Sequence, residues 1–291
     1  MKIHIIGPEG SGKTILTAML NHYIERHYTN GFKFRASSFN TKLYFTEILN
    51  ILNEGEWPPS TKQGQPKVLN WQWETDDGII IDVNMHDIAG QDFRMGICNE
   101  DSNELKSDIK KSDLIIAVCD LFVHPISNDV EVKAGNAWII EWLFNNLTKK
   151  QKMIIVLTKF DMFEYELPVQ KWHDKQELLK LINEYMPEFN TKGYNLDNCF
   201  ICAVSAVSVQ TVSTKDNKLE RFPRLPLESK GMENLLSEIK RIVYEKNTSI
   251  PFKIVRAKNN IKTMMNQVTE VMRPAIEALG NFINNLSEKE K

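Results

Sequence analysis

The sequence is poor in cysteine, nearly free of net charge and without a long apolar run, and each shortage removes a class of protein. Four cysteines in 291 residues do not make the disulfide framework of a secreted scaffold. Two of them, Cys199 and Cys202, form a C-x-x-C, but inside NCFICAVSA, which reads as a buried strand. Side chains alternate along a strand, so the two sulfurs face opposite ways, and the pair reads as small buried hydrophobes rather than a redox or zinc site. A formal charge of −2 supplies no field for a nucleic-acid backbone, so nucleic acid is not favoured as a partner. No run of about eighteen apolar residues occurs, and Lys2, His4 and Glu9 interrupt the opening. Neither a transmembrane segment nor a secretory leader is expected, and the protein reads as cytoplasmic. Low-complexity tracts and internal repeats are also missing.

What is present begins at once. KIHII is a short β-rich run, GPEGSGKT follows at positions 7 to 14, and TILTAMLNHYIERHY continues as an amphipathic helix with Ile15, Leu16, Met19, Leu20 and Tyr23 on one side. Gly7, four residues, Gly12, Lys13, Thr14 is the spacing of a phosphate-binding loop. Backbone N–H groups through Gly10, Ser11 and Gly12 wrap the phosphates, the lysine reaches the β and γ oxygens, and the threonine hydroxyl binds Mg²⁺. Strand, glycine loop and helix also place a helix N-terminus, with its partial positive charge, beneath the anion.

Later strand ends carry matching chemistry. GIIIDVNMHDIAGQD ends a strand with Asp87, which can hold Mg²⁺ through water. Gly90 lets a backbone N–H approach a γ-phosphate, and Gln91 stands where an amide can orient attacking water. SDLIIAVCDLF is the next strand. The helix AGNAWIIEWLFNNLTKK after it buries Trp138, Ile139, Trp142, Leu143 and Leu147. KMIIVLTKFD then ends an apolar strand in Thr158, Lys159, Phe160 and Asp161. The Asp161 carboxylate can accept paired hydrogen bonds from guanine N1–H and N2–H₂, while the lysine stem covers the base plane. Adenine offers no such donor pair and would leave a buried carboxylate unsatisfied. At the end of CFICAVSAVS, Ser205 and Ala206 form a small turn whose backbone N–H can donate to guanine O6.

In this order GPEGSGKT, DIAGQ, TKFD and VSA resemble the Ras-like, translation-factor-related class of P-loop GTPases. The resemblance spans about residues 1 to 248. It implies an α/β fold with a doubly wound, mostly parallel sheet, GTP and GDP as substrate and product, and Mg²⁺-dependent hydrolysis that switches two loops. Carried over, Gly7, Gly10, Ser11, Gly12, Lys13 and Thr14 hold phosphate and metal, and Asp87 is an outer-sphere metal ligand. Gly90 senses the γ-phosphate, Gln91 positions water, and Thr158, Lys159, Asp161, Ser205 and Ala206 hold guanine. GEWPPST is similar to a feature of bacterial double-GTPase proteins of predicted conflict systems. On that resemblance the first-switch threonine, a metal and catalytic contact, is Thr61, with Ser60 as the alternative. Two departures stand out. Glu9 occupies a position that is glycine in many small GTPases, which argues against a Ras-type arginine finger, and threonine replaces asparagine at the start of the base motif.

Insertions are expected at about 30–66 and 206–228. A helix, TKLYFTEILNILNEG, falls in the first, before a strand VLNWQWE whose Leu69, Trp71 and Trp73 share a face. QDFRMGICNEDSNELKSDIKKSD, following the γ-phosphate sensor, and VQTVSTKDNKLERFPRLPLESKG read as solvated loops, the former also as an effector surface. GMENLLSEIKRIVYEKN reads as the last helix of the domain, with Leu235, Leu236, Ile239, Ile242 and Val243 inward. Over 251–291 a heptad seam runs from Ile261 to Leu286, interrupted at Pro274. A helix packed on its own domain, a seam for a second copy or a second GTPase, and a peripheral membrane-surface helix all fit it. Two other functions share these motifs: a scaffold that holds GTP or GDP without hydrolysis, and a P-loop ATPase of motor or defence type.

Overall fold

The computed structural model describes residues 1–8, 10–27, 31–59, 67–87, 103–120, 130–186, 196–213 and 219–247. The chain divides into two compact units, Met1–Ile239 and Lys240–Lys291. The seam from Ile261 to Leu286 lies outside the described residues.

The centre of the first unit is built from runs that are apolar at most positions and buried on both sides. Strands β1 (Lys2–Ile6), β5 (Leu114–Asp120), β6 (Lys152–Thr158) and β7 (Cys199–Ala203) are buried almost throughout. That pattern belongs to parallel strands covered on both faces. They pair in parallel, with Ile6 opposite Ala117, Asp120 opposite Thr158 and Leu157 opposite Ala203. On the other side of β1 lies β4 (Ile80–Asp87), also parallel, with Ile5 opposite Met85. Two antiparallel strands, β2 (Phe32–Ala36) and β3 (Lys67–Thr75), complete a seven-stranded sheet in the order β2-β3-β4-β1-β5-β6-β7. The first strand is therefore central, and the order reverses around it. In such sheets the crevice for a ligand opens beyond the carboxyl ends of the strands at the reversal.

The antiparallel wing consists of β2 (Phe32–Ala36) and β3 (Lys67–Thr75). As expected, Leu69, Trp71 and Trp73 are buried on one face of β3. The strand at Phe32–Ala36 is an addition to the sequence reading. FKFRA carries only two aromatics between charges, and pairing of Phe34 with Trp73 imposes its extended state. The helix foreseen in the first insertion is α2 (Phe39–Asn53), capped by the Ser38 hydroxyl, which accepts the Thr41 N–H at 3.1 Å. Phe45 of α2 meets Trp71 edge-on with centroids 5.3 Å apart, and Phe32 meets Trp73 at 6.1 Å. The Trp73 indole N–H donates to Asn21 Oδ1 at 2.9 Å, tying the wing to α1 (Lys13–Arg26). Helix α1 is buried more fully than a one-sided stripe predicts. Thr17, Ala18, Asn21 and Ile24 are covered along with Leu16, Met19 and Leu20, whereas Ile15 and Tyr23 are half-buried.

Two expected loops contain regular structure. Within QDFRMGICNEDSNELKSDIKKSD, residues Asn103–Lys111 form α3. Leu105 and Ile109, one turn apart, are buried, and two such anchors suffice to seat an otherwise polar helix on the sheet. Within the later segment, β8 (Val209–Ser213) and β9 (Leu219–Pro223) form an antiparallel hairpin. Gln210, Thr211, Glu220 and Arg221 are exposed. A two-stranded ribbon exposed at these positions needs no apolar alternation, so its residues carry no clear strand signal. Helix α4 (Val130–Asn146) buries Ile139, Ile140 and Leu143, with Trp142 and Leu147 half-buried, and the Trp138 side chain is outside the described residues. Helix α5 (Lys175–Tyr185) precedes β7. Helix α6 (Met232–Asn247) buries Leu235, Leu236, Ile239, Ile242 and Val243 as expected. Among the described residues no helix is long and apolar enough to cross a membrane.

Cys199 and Cys202 are free and buried. Burial pushes the Cys199 thiol up to about 12, against the pull of Lys175, and raises Cys202 further. Protonated thiols are poor nucleophiles and poor ligands, and Cys199 and Cys202 pack as small buried hydrophobes.

Candidate functional site

The loop after β1 is shaped by what its neighbours allow. A Cβ on Gly7 would lie 2.5 Å from the Val118 carbonyl oxygen of β5, so only glycine lets the chain turn this close to the sheet. Gly12 caps α1 with φ 80°, in the left-handed region. Lys13, buried in the first turn, donates from Nζ to the Gly7 carbonyl at 3.4 Å, folding back over its own loop. Thr14 is half-buried beside it. The buried Ser11 hydroxyl has no hydrogen-bond partner among the described residues. An orphaned donor in a loop of N–H groups at a helix N-terminus suits an anion.

The base loop, at the end of β6, is joined to this loop by consecutive residues. The Thr158 hydroxyl lies 2.5 Å from the Ser11 carbonyl oxygen and 3.1 Å from that of Cys119. Lys159 follows in the left-handed region, φ 55°. Its ammonium donates to the Gly10 carbonyl at 2.8 Å and to the Asp120 carboxylate at 2.7 Å. The threonine that stands in place of asparagine thus reaches the phosphate loop with a shorter side chain. Phe160 is fully buried against Phe163 and Trp172, with centroids 5.2 Å from each, and this anchors the turn.

Asp161 is half-buried in a short 3₁₀ turn, Phe160–Phe163, and accepts the Ser205 hydroxyl at 2.9 Å. Burial holds its carboxyl above the ordinary value. The Ser205 hydrogen bond, its own backbone and the charges of Arg221 and Lys230 oppose that rise. Ser205 is fully buried, and its N–H donates to the Lys230 carbonyl at 3.0 Å while Lys230 returns one at 2.9 Å. That engagement leaves Ala206 to supply the N–H expected from this turn. Lys230 also pairs with Glu164 at 2.6 Å.

The structure thus brings Gly7, Gly10, Ser11, Gly12, Lys13 and Thr14 to the same sheet end as Thr158, Lys159, Asp161, Ser205 and Ala206. Asp87 ends β4 at the same end of the sheet, in backbone register with Lys67, which starts β3; its side chain lies outside the described residues. So do Glu9, Ser60, Thr61, Gly90 and Gln91. Sequence reasoning missed Asp120 and Lys230. A carboxylate that closes an apolar strand, as Asp87 does, was a signal for Asp120. Lys230 had none, because its contacts depend on the chain returning after the hairpin.

The model of the family described as Double-GTPase 2 matches residues 2–195. No curated protein matches the sequence. Similar solved structures include the bacterial selenocysteine-specific elongation factor EF-Sec, at 16% identity over 84% of this chain and 29% of that one, with a TM-score of 0.40. The Ski7 GTPase-like domain of S. cerevisiae is also similar. Bound to GDP and inorganic phosphate it shows 15% identity over 86% of this chain and 50% of that one, with a TM-score of 0.46. Bound to GTP it shows 14% identity over the same shares, with a TM-score of 0.42. The chain spans half or less of these structures, and likenesses this distant carry no argument of their own. The family match covers most of the chain and includes the phosphate loop and TKFD; it supports guanine-nucleotide binding, and the chain belongs to the Double-GTPase 2 family.

Proposed function

We propose that the protein is a cytoplasmic molecular switch that binds GTP with Mg²⁺ and hydrolyses it to GDP and phosphate. The observation that carries this reading is the pairing of a guanine-reading carboxylate, Asp161, with a phosphate loop fastened to it through Thr158 and Lys159. Asp161 accepts guanine N1–H and N2–H₂, Ala206 donates its N–H to O6, and the Lys159 stem covers the base. Lys13 neutralises charge on the β and γ oxygens, Gly90 offers its N–H to the γ-phosphate, and Gln91 orients water for in-line attack.

The residues present suit a hard cation. Thr14 lies in the first turn of α1 and Asp87 ends β4, and these two residue types, a hydroxyl and a carboxylate, are the hard oxygen donors that would hold Mg²⁺ beside a phosphate. Thr61, which precedes β3 in the sequence, would be a further oxygen donor to the ion. Bound there, Mg²⁺ supplies charge stabilisation on the transferred phosphoryl group. The two switch segments, around Thr61 and after Gly90, are where a protein effector would read the bound state, and hydrolysis is slow without one. Residues 251–291 are a further contact for a second copy, a second GTPase or a membrane surface.

Calorimetric titration of nucleotide-free protein with GDP, a non-hydrolysable GTP analogue and their adenine counterparts tests the reading, repeated on Asp161→Ala. Guanine preference that collapses in the variant supports it. Equal or preferred adenine binding overturns it in favour of an ATPase. Single-turnover hydrolysis by Gln91→Leu separates enzyme from scaffold, since a rate equal to wild type removes Gln91 from the chemistry.

A further inference from the structure

Asp120 is a buried carboxylate that the reaction outlined above does not use. It closes β5, its side chain is 3% exposed, and the Lys159 side chain that it pairs with is 47% exposed. Charge placed beneath a crevice meant for polyphosphate repels the ligand unless it is cancelled locally. Here the cancelling charge is Lys159, whose ammonium is shared between Asp120 and the Gly10 carbonyl.

The crevice holds two lysines with different tasks, and an unassigned ammonium in it would be drawn to phosphate. We infer that Asp120 is a positioning residue for guanine recognition: it holds the Lys159 ammonium against Gly10, so that Lys159 serves the base with its stem and phosphate is left to Lys13. Two fixed hydrogen bonds freeze the rotamers of a long side chain before the nucleotide arrives, and ordering completed beforehand is not charged to binding. The left-handed backbone at Lys159 aims the side chain back over the phosphate loop, and Asp120 is the group that meets it there. The inference rests on the guanine-nucleotide reading above and deepens it.

The test is calorimetry on wild type, Asp120→Asn, Lys159→Ala and the double variant, with GDP and with inorganic pyrophosphate as the base-free probe, both with Mg²⁺. Asp120→Asn is expected to weaken GDP by about tenfold, the size of one lost charge-assisted hydrogen bond. Pyrophosphate should bind that variant no more weakly than wild type, and the double variant should bind GDP no more weakly than Lys159→Ala. A merely structural aspartate would weaken both ligands alike, or would add its loss to that of Lys159→Ala, and either result overturns the inference. Should Asp120→Asn fail to fold, Asp120→Glu, which displaces the charge by one methylene, takes its place with the same expected split. Wild-type titration with ADP keeps the parent reading separate: failure to prefer GDP overturns that reading and this inference with it, whereas guanine preference with unchanged GDP binding in the Asp120 variants overturns this inference alone.

Discussion

In the proposed base pocket Asp161 has to act as a carboxylate, yet its burial favours the protonated acid. The sign follows from that. A carboxyl whose folded value is raised contributes stability that is fully present below its unfolded value and lost as pH rises through the raised one. Nucleotide binding has the opposite dependence, because guanine needs the ionised form. GDP affinity is therefore expected to fall on acidification at a pH above the ordinary aspartate range. Titrations at a series of pH values check this, and a profile that stays flat down to the ordinary range would remove the buried carboxylate from base recognition. Gly7 gives a second prediction. Gly7→Ala forces a Cβ against the Val118 carbonyl and should cost about 1–3 kcal/mol in denaturant unfolding. The same change at half-buried Gly55, where an added Cβ meets open space, brings only the strain of its positive φ.

The wing of β2, β3 and α2 hangs on aromatic contacts and one buried hydrogen bond. Trp73→Phe keeps most of the ring but leaves Asn21 Oδ1 without its donor, an expected loss of about 1–3 kcal/mol. A double-mutant cycle with Asn21→Ala separates that bond from the packing, and additive losses would mean that the bond contributes nothing. The same elements show what could be read from sequence. The strands that carry the phosphate and base motifs were legible, because each joins a largely apolar run to a chemically specific end. The strand Phe32–Ala36 was not, since its state comes from pairing with Trp71 to Thr75 rather than from its own residues. Helix α3 was missed because two apolar anchors in nine residues resemble a loop. The commitment of the Ser205 N–H to Lys230 was equally unreadable, because a bridge across 25 positions exists only after the hairpin has folded.

For the protein as a whole, ligand binding and stability are linked. A nucleotide that binds only the folded state at about 100 times its Kd adds about 2.7 kcal/mol. Thermal unfolding is thus expected to shift upward with GDP and Mg²⁺, to shift less once a chelator removes the metal, and to be insensitive to ADP at the same concentration. Equal shifts with GDP and ADP would contradict guanine selectivity without any kinetic measurement. Trp57 offers a view of the same events. Its indole N–H donates to the Arg221 carbonyl of β9 at 2.7 Å, and its ring is 40% exposed, whereas Trp71, Trp73 and Trp172 are sealed in the interior. Emission from the sealed rings is shielded from water, so an aqueous quencher such as iodide reaches Trp57 far more readily than them. The difference spectrum between wild type and Trp57→Phe is therefore a built-in optical gauge of whether the chain before Ser60 rests on the hairpin or has lifted from it.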